Sequence, residues 1–218
     1  MPLREKLFPR LSHLEKVREK IRGDKPVSIG VFCSGNGDRS PFAQQVLQEE
    51  FKKAGHKNVR VFSFGLSAPE EEKGEGAAKR TAGHALDMGY EGIRSHVRRS
   101  VRDDSVKDDI QKADLLFAIS PSHLLYLLEY GADEGEPALR EKLHKLWTLK
   151  GFATKREWKM PVQGLKIIPF IGSAMRRSLS VKDPYFQPKT EAGEEQFRKM
   201  LEAVRDTAKL AAKRLIAR

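Results

Sequence analysis

Apolar and polar positions along this chain follow two rhythms. Leu7, Leu11, Leu14, Val17 and Ile21 recur at helical spacing, with Lys, Arg and Glu between them. That spacing predicts an amphipathic helix over Pro9–Arg22, closed by Gly23. Short apolar runs follow at residues 29–32, 59–64, 113–119 and 145–149. Each predicts a strand. Helical spacing fills the gaps between them. Ala43, Val46, Leu47 and Phe51 mark one helix, residues 77–88 a second that stops at Gly89, Asp104–Lys112 a third and residues 122–130 a fourth. A long closing helix covers Glu191–Ile216, with Phe197, Leu201, Val204, Ala208 and Ala211 as its inner stripe. Strands alternating with helices predict an α/β fold: one three-layer domain with a central four-stranded parallel sheet and helices on both faces.

The first strand runs into the richest chemistry in the chain. Residues 33–41 read Cys-Ser-Gly-Asn-Gly-Asp-Arg-Ser-Pro. Ser34 to Asp38 form a polar loop in which Gly35, Asn36 and Gly37 tolerate positive φ. Such a loop can turn successive backbone N–H groups inward as an anion nest. Ser40 and Pro41 suit a helix start, and the helix N-terminus adds unpaired N–H groups and a positive dipole end. Arg39 can grip two oxygens of an oxyanion with its planar fork. Cys33, facing these groups, is placed to act as a thiolate nucleophile. The loop after the first strand is therefore expected to bind phosphate.

This stretch resembles the signature of the low-molecular-weight protein tyrosine phosphatases: an apolar strand, then Cys, a small or apolar residue, Gly, Asn, two variable residues, Arg, Ser and Pro. The resemblance implies Cys33 as nucleophile, Arg39 as phosphate clamp, Asn36 as the residue holding the loop in shape and Ser40 as the hydroxyl that steadies the thiolate. It also implies supporting roles for Ser63, bonded to Asn36, and for His96, in a Ser-His-x-x-Arg stretch, as a loop brace. Asp183-Pro184-Tyr185-Phe186 matches the family's acid motif. Asp183 is then the general acid, and Tyr185 and Phe186 are flat walls for a substrate ring. Asp38 departs from the pattern, since many members have a second cysteine there. Such a carboxylate, turned inward, would oppose a dianion.

The family usually begins near its first strand, so residues 1–26 read as an N-terminal helical extension and 27–218 as the phosphatase-like domain. At about 150–182 this chain has a longer stretch than the family, rich in Lys and Arg, with Phe152, Trp158, Phe170 and Met175 interleaved. It adjoins the acid motif and is expected to form one wall of the active-site mouth.

Composition narrows the alternatives. The 218 residues carry a net charge of +11, with 41 Lys and Arg against 30 Asp and Glu. That excess invites a polyanion partner, but the chain shows no helix-turn-helix, zinc-finger or RNA-binding signature, which argues against nucleic acid. No apolar run approaches a membrane span. Glu5, Glu15 and Glu19 within the first helical pattern argue against a membrane surface. One cysteine allows no internal disulfide and no cysteine metal cluster, as expected of a cytoplasmic protein. The chemistry requires no metal and no cofactor.

The expected activity is protein tyrosine phosphatase, hydrolysing phosphotyrosine through a cysteinyl-phosphate. The expected partners are a phosphorylated protein and inorganic phosphate or another oxyanion in the loop, with the chain a monomer or weak homodimer. Phosphoarginine phosphatase stays open, because Ser34 after the nucleophile does not decide it. An arsenate reductase on this fold would need an external thiol such as glutathione, and a non-catalytic polyanion binder is the remaining alternative.

Overall fold

The computed structural model describes residues 9–133, 143–155 and 190–217. Its strands are β1 (Val27–Cys33), β2 (Val59–Gly65), β3 (Leu115–Ala118) and β4 (Leu146–Thr148). All pair in parallel, in the order β2-β1-β3-β4. The helices are α1 (Pro9–Arg22), α2 (Arg39–Lys53), α3 (Lys79–Asp87), α4 (Asp104–Lys112), α5 (Pro121–Asp133), α6 (Leu149–Ala153) and α7 (Glu191–Ile216).

The apolar runs are continuous because both faces of the sheet are covered. Successive strand residues point to opposite faces. Ile29, Val31 and Cys33 enter one core with Leu115 and Phe117, against α1, α2, α6 and α7. Phe32 enters the other with Phe62, Phe64, Leu116 and Ala118, against α4 and α5. The second core leaves no room for a side chain at residue 30. A Cβ on Gly30 would meet Leu116 at 2.6 Å and Phe62 at 2.8 Å.

The predicted strands and helices are present, shifted by a few residues at their ends. Two segments add to the predicted pattern. The polar stretch 70–76 contains a 3-10 turn at Glu70–Glu72, and Lys73 is ion-paired to both Glu70 and Asp103. The fourth strand ends at Thr148 and gives way at once to α6, whose Phe152 packs on Phe117 and Trp147.

The N-terminal helix is part of the core. Leu14, Val17 and Ile21 are each at most 1% exposed, and burial of such side chains contributes about 1.5–3 kcal/mol apiece. The Arg10 guanidinium lies 3.7 Å above the Trp147 ring. Lys20 pairs with Asp114 at 2.7 Å, and Asp114 also accepts the Ser28 N–H at 2.9 Å. Asn58 donates to the carbonyls of Lys20, Ile21 and Lys25, at the end of the helix.

Sheet order decides where a ligand can sit. The chain leaves β1 toward β2 on one side, and β3 lies on the other. Loops after β1 and β3 therefore part at the C-terminal edge and open a crevice there. The loop after Cys33 occupies that crevice.

Candidate active site

β1 delivers Cys33 to the C-terminal edge of the sheet, and α2 starts six residues later at Arg39. Between them Asn36 has φ +54°, in the left-handed region, which Asn tolerates better than most residues. Asn36 is fully buried and every polar group of its side chain is used. Its Nδ2 donates to Ser40 Oγ at 3.0 Å and to Ser63 Oγ at 2.9 Å, and its Oδ1 accepts the Arg99 N–H at 3.0 Å. Ser63 donates onward to Gln44 Oε1 at 2.6 Å. The loop turns around this one amide.

The rest of the loop is clamped from three sides. From beyond β2, the Leu66 and Ser67 N–H groups bond the carbonyls of Cys33 and Ser34 at 3.0 and 2.9 Å. At Gly65 the approach is so close that a Cβ would lie 2.7 Å from Ser34 O and 3.0 Å from Asn36 N. From the α3 side, the Ala78 N–H bonds the Gly37 carbonyl at 2.9 Å, and the Thr81 hydroxyl donates to the Asp38 carboxylate. From beyond β3, His123 Nε2 hydrogen-bonds Ser34 Oγ at 3.0 Å.

His96 sets a further brace. Its Nε2 donates to the Asn36 carbonyl at 3.1 Å. Burial pushes its pKa down to about 4, and the charges of Arg98 and Arg99 push the same way, against the pull of that hydrogen bond. The ring is therefore neutral near pH 7, with its proton on Nε2.

The loop borders a cavity of about 230 Å³ lined by Cys33, Ser34, Gly35, Gly37, Asp38 and Arg39 together with Glu72, Ala78 and Arg98. Cys33 is 3% exposed and has the core on one side and the cavity on the other. Its Sγ is 3.0 Å from Ser40 Oγ. Asp38 stands at the N-cap position of α2 but makes no side-chain cap, which leaves the first-turn N–H groups available to an anion.

The family model for low molecular weight phosphotyrosine protein phosphatases matches residues 28–161. The chain belongs to this family. It is therefore a phosphatase by descent. No curated protein matches it. Solved structures share its fold at low identity. The low molecular weight protein tyrosine phosphatase of T. tengcongensis is 23% identical, with a TM-score of 0.59 over 86% of this chain and 99% of that one. The YwlE arginine phosphatase of Geobacillus stearothermophilus is 20% identical, with a TM-score of 0.58 over 87% and 93%. Wzb of Vibrio vulnificus, solved with benzylphosphonate, is 20% identical, with a TM-score of 0.57 over 86% and 98%.

Of the site residues expected from sequence, the phosphatase brings Cys33, Asn36, Ser40, Ser63 and His96 into one bonded cluster, with Ser34, Gly35, Gly37, Asp38 and Arg39 around the cavity. Asp183, Tyr185, Phe186 and residues 156–182 of the basic stretch lie outside the described residues. Sequence reasoning missed Gln44, Glu72, Thr81, Arg98 and His123. His123 had a faint signal, a histidine in the first turn of the helix after β3. Only the sheet order, with β3 beside β1, places it against Ser34.

Proposed function

We propose that this phosphatase hydrolyses phosphotyrosine in proteins through a cysteinyl-phosphate intermediate. Support comes from a cavity that Cys33 and Arg39 line together with Ser34, Gly35, Gly37 and Asp38, and from Ser40 Oγ 3.0 Å from the Cys33 Sγ. Cys33 attacks phosphorus in line with the leaving oxygen. Arg39 and the N–H groups of residues 34–39 hold the three equatorial oxygens. Asp183 gives its proton to the departing phenolate. It then takes a proton from the water that attacks the phosphocysteine, releasing orthophosphate and the thiolate. Ser40 steadies that thiolate as it leaves.

The test is hydrolysis of an aryl phosphate with inhibition by vanadate. Cys33→Ser should abolish turnover and keep oxyanion binding; substantial turnover by that variant would refute the assignment. Phosphoarginine is a second reading with its own support, since Asp38 and Glu72 are among the residues lining the cavity and each carboxylate, bonded once by Thr81 or by Arg98, keeps further acceptor sites for a guanidinium leaving group. A higher kcat/KM on phosphoarginyl than on phosphotyrosyl peptides would select it.

The same reading places the protein in the cytoplasm as a monomer or weak homodimer, without metal or cofactor. Its lone cysteine can form no internal disulfide. No described helix is long and apolar enough to cross a membrane. Residues 1–26 serve as an extension of the domain, and the positive charge of the basic stretch at about 150–182 draws in acidic phosphorylated substrates.

A further inference from the structure

Gly37 is the first of the two variable positions before the family's arginine, and Arg98 is the second variable position of the Ser-His-x-x-Arg stretch. The fold brings them together. A Cβ on Gly37 would lie 3.2 Å from both Cζ and NH2 of Arg98. The guanidinium thus rests against the loop where any side chain at residue 37 would compete with it.

Arg98 is also fixed in place. Its backbone N–H donates to the Glu75 carbonyl at 2.7 Å, and its carbonyl accepts from Gly74 N at 3.2 Å. Its Nε donates to the Gly76 carbonyl at 2.9 Å, and NH1 donates to the Glu72 carboxylate. The side chain is 10% exposed and lines the cavity. NH2 has no protein partner among the described residues. A guanidinium held at two of its nitrogens and open at the third is an oriented donor. The nearby carboxylates are already engaged, Glu72 by Arg98 itself and Asp38 by Thr81.

We infer that Arg98 is a specificity-determining residue whose NH2 binds a second anionic group, a carboxylate or phosphoryl oxygen, next to the phosphoryl group held in the loop. The preferred ligand is then a phosphate carrying an adjacent anion: a phosphorylated residue beside an acidic one, or a small diphosphate. Anionic acceptors are favoured because hydrogen bonds between ionised partners are about twice as strong as neutral ones. Glu72 offsets the charge of Arg98 at a distance, so the preference is a short-range one set by the direction of NH2. The inference rests on the loop being a phosphate site, and the test separates the two.

Calorimetric titration of the whole protein with orthophosphate and with pyrophosphate needs no turnover. Pyrophosphate should bind about tenfold more tightly, the scale of one hydrogen bond to a charged group. The double variant Arg98→Gln with Glu72→Gln keeps the net charge of the cavity lining and should lose that advantage. Arg98→Gln alone gives the same readout if the double variant folds poorly. An advantage that survives in either variant, or that wild type lacks, overturns the inference. If wild type binds neither anion, the phosphate-loop reading fails with it. Phosphotyrosyl peptides with Glu or Gln after the tyrosine, compared as a ratio of kcat/KM, identify the source. A Glu preference that vanishes in the variant points to a peptide carboxylate. A preference confined to pyrophosphate points to a diphosphate.

Discussion

Acid should loosen the loop at His96. The ring is 7% exposed, and its burial is the main reason its pKa falls from 6.5 to about 4. In the unfolded chain the imidazole takes up a proton near its ordinary pKa. In the folded chain it resists until about pH 4. The unfolded state thus binds more protons between these limits, and stability falls as pH drops through them. The contribution is whole above about pH 6.5 and fully lost below about pH 4. A shift of roughly 2.5 units at 1.36 kcal/mol each corresponds to about 3 kcal/mol, of which about 2 kcal/mol is gone by pH 5. Urea denaturation at about pH 7.5 and about pH 5 measures the loss. The comparison is His96→Gln, whose amide keeps a donor that does not titrate. Wild type should lose about 2 kcal/mol more than the variant between the two conditions. Equal losses would mean that His96 titrates normally and that its burial does not hold the ring neutral.

Other consequences can be checked in the same preparation. Asp183→Asn should slow an ester with a poor leaving group by about 10²–10⁴ and an activated ester less; equal slowing of both removes Asp183 as the leaving-group acid. Gly65→Ala forces a methyl to within 2.7 Å of the Ser34 carbonyl. It should cost about 1–3 kcal/mol in a melting or urea experiment and weaken phosphate binding along with it. Unchanged phosphate affinity would show that β2 does not shape the loop. Leu14→Ala should cost about 2–5 kcal/mol, because the residue is 1% exposed in the core. A helix lying loosely on the surface would tolerate the change within about 0.5 kcal/mol.

The oxyanion loop was legible because its parts are neighbours in the chain. Cys33, the turn through Asn36 and the helix start at Arg39 and Ser40 span eight consecutive residues. Glycine permissiveness, the φ tolerance of Asn and the open N-terminus of a helix all act over that distance. Ser63 and His96 were legible only through the family pattern. Their bonds to Asn36 reach across 27 and 60 residues. No local rule connects residues so far apart.

Periodicity determined the elements and which residues each strand and helix would bury. It could not determine strand order, because strands covered on both faces read as the same apolar run wherever they stand in the sheet. Tertiary structure decided that β1 lies between β2 and β3. That order put His123 against Ser34, let Gly65 press on the loop and set the crevice at the C-terminal edge. Likewise the sequence showed an amphipathic helix before the first strand, but amphipathicity does not name the surface that covers it. The fold gave that stripe to the domain's own core, where removing Leu14, Val17 and Ile21 from water stabilises the same sheet that carries the cysteine.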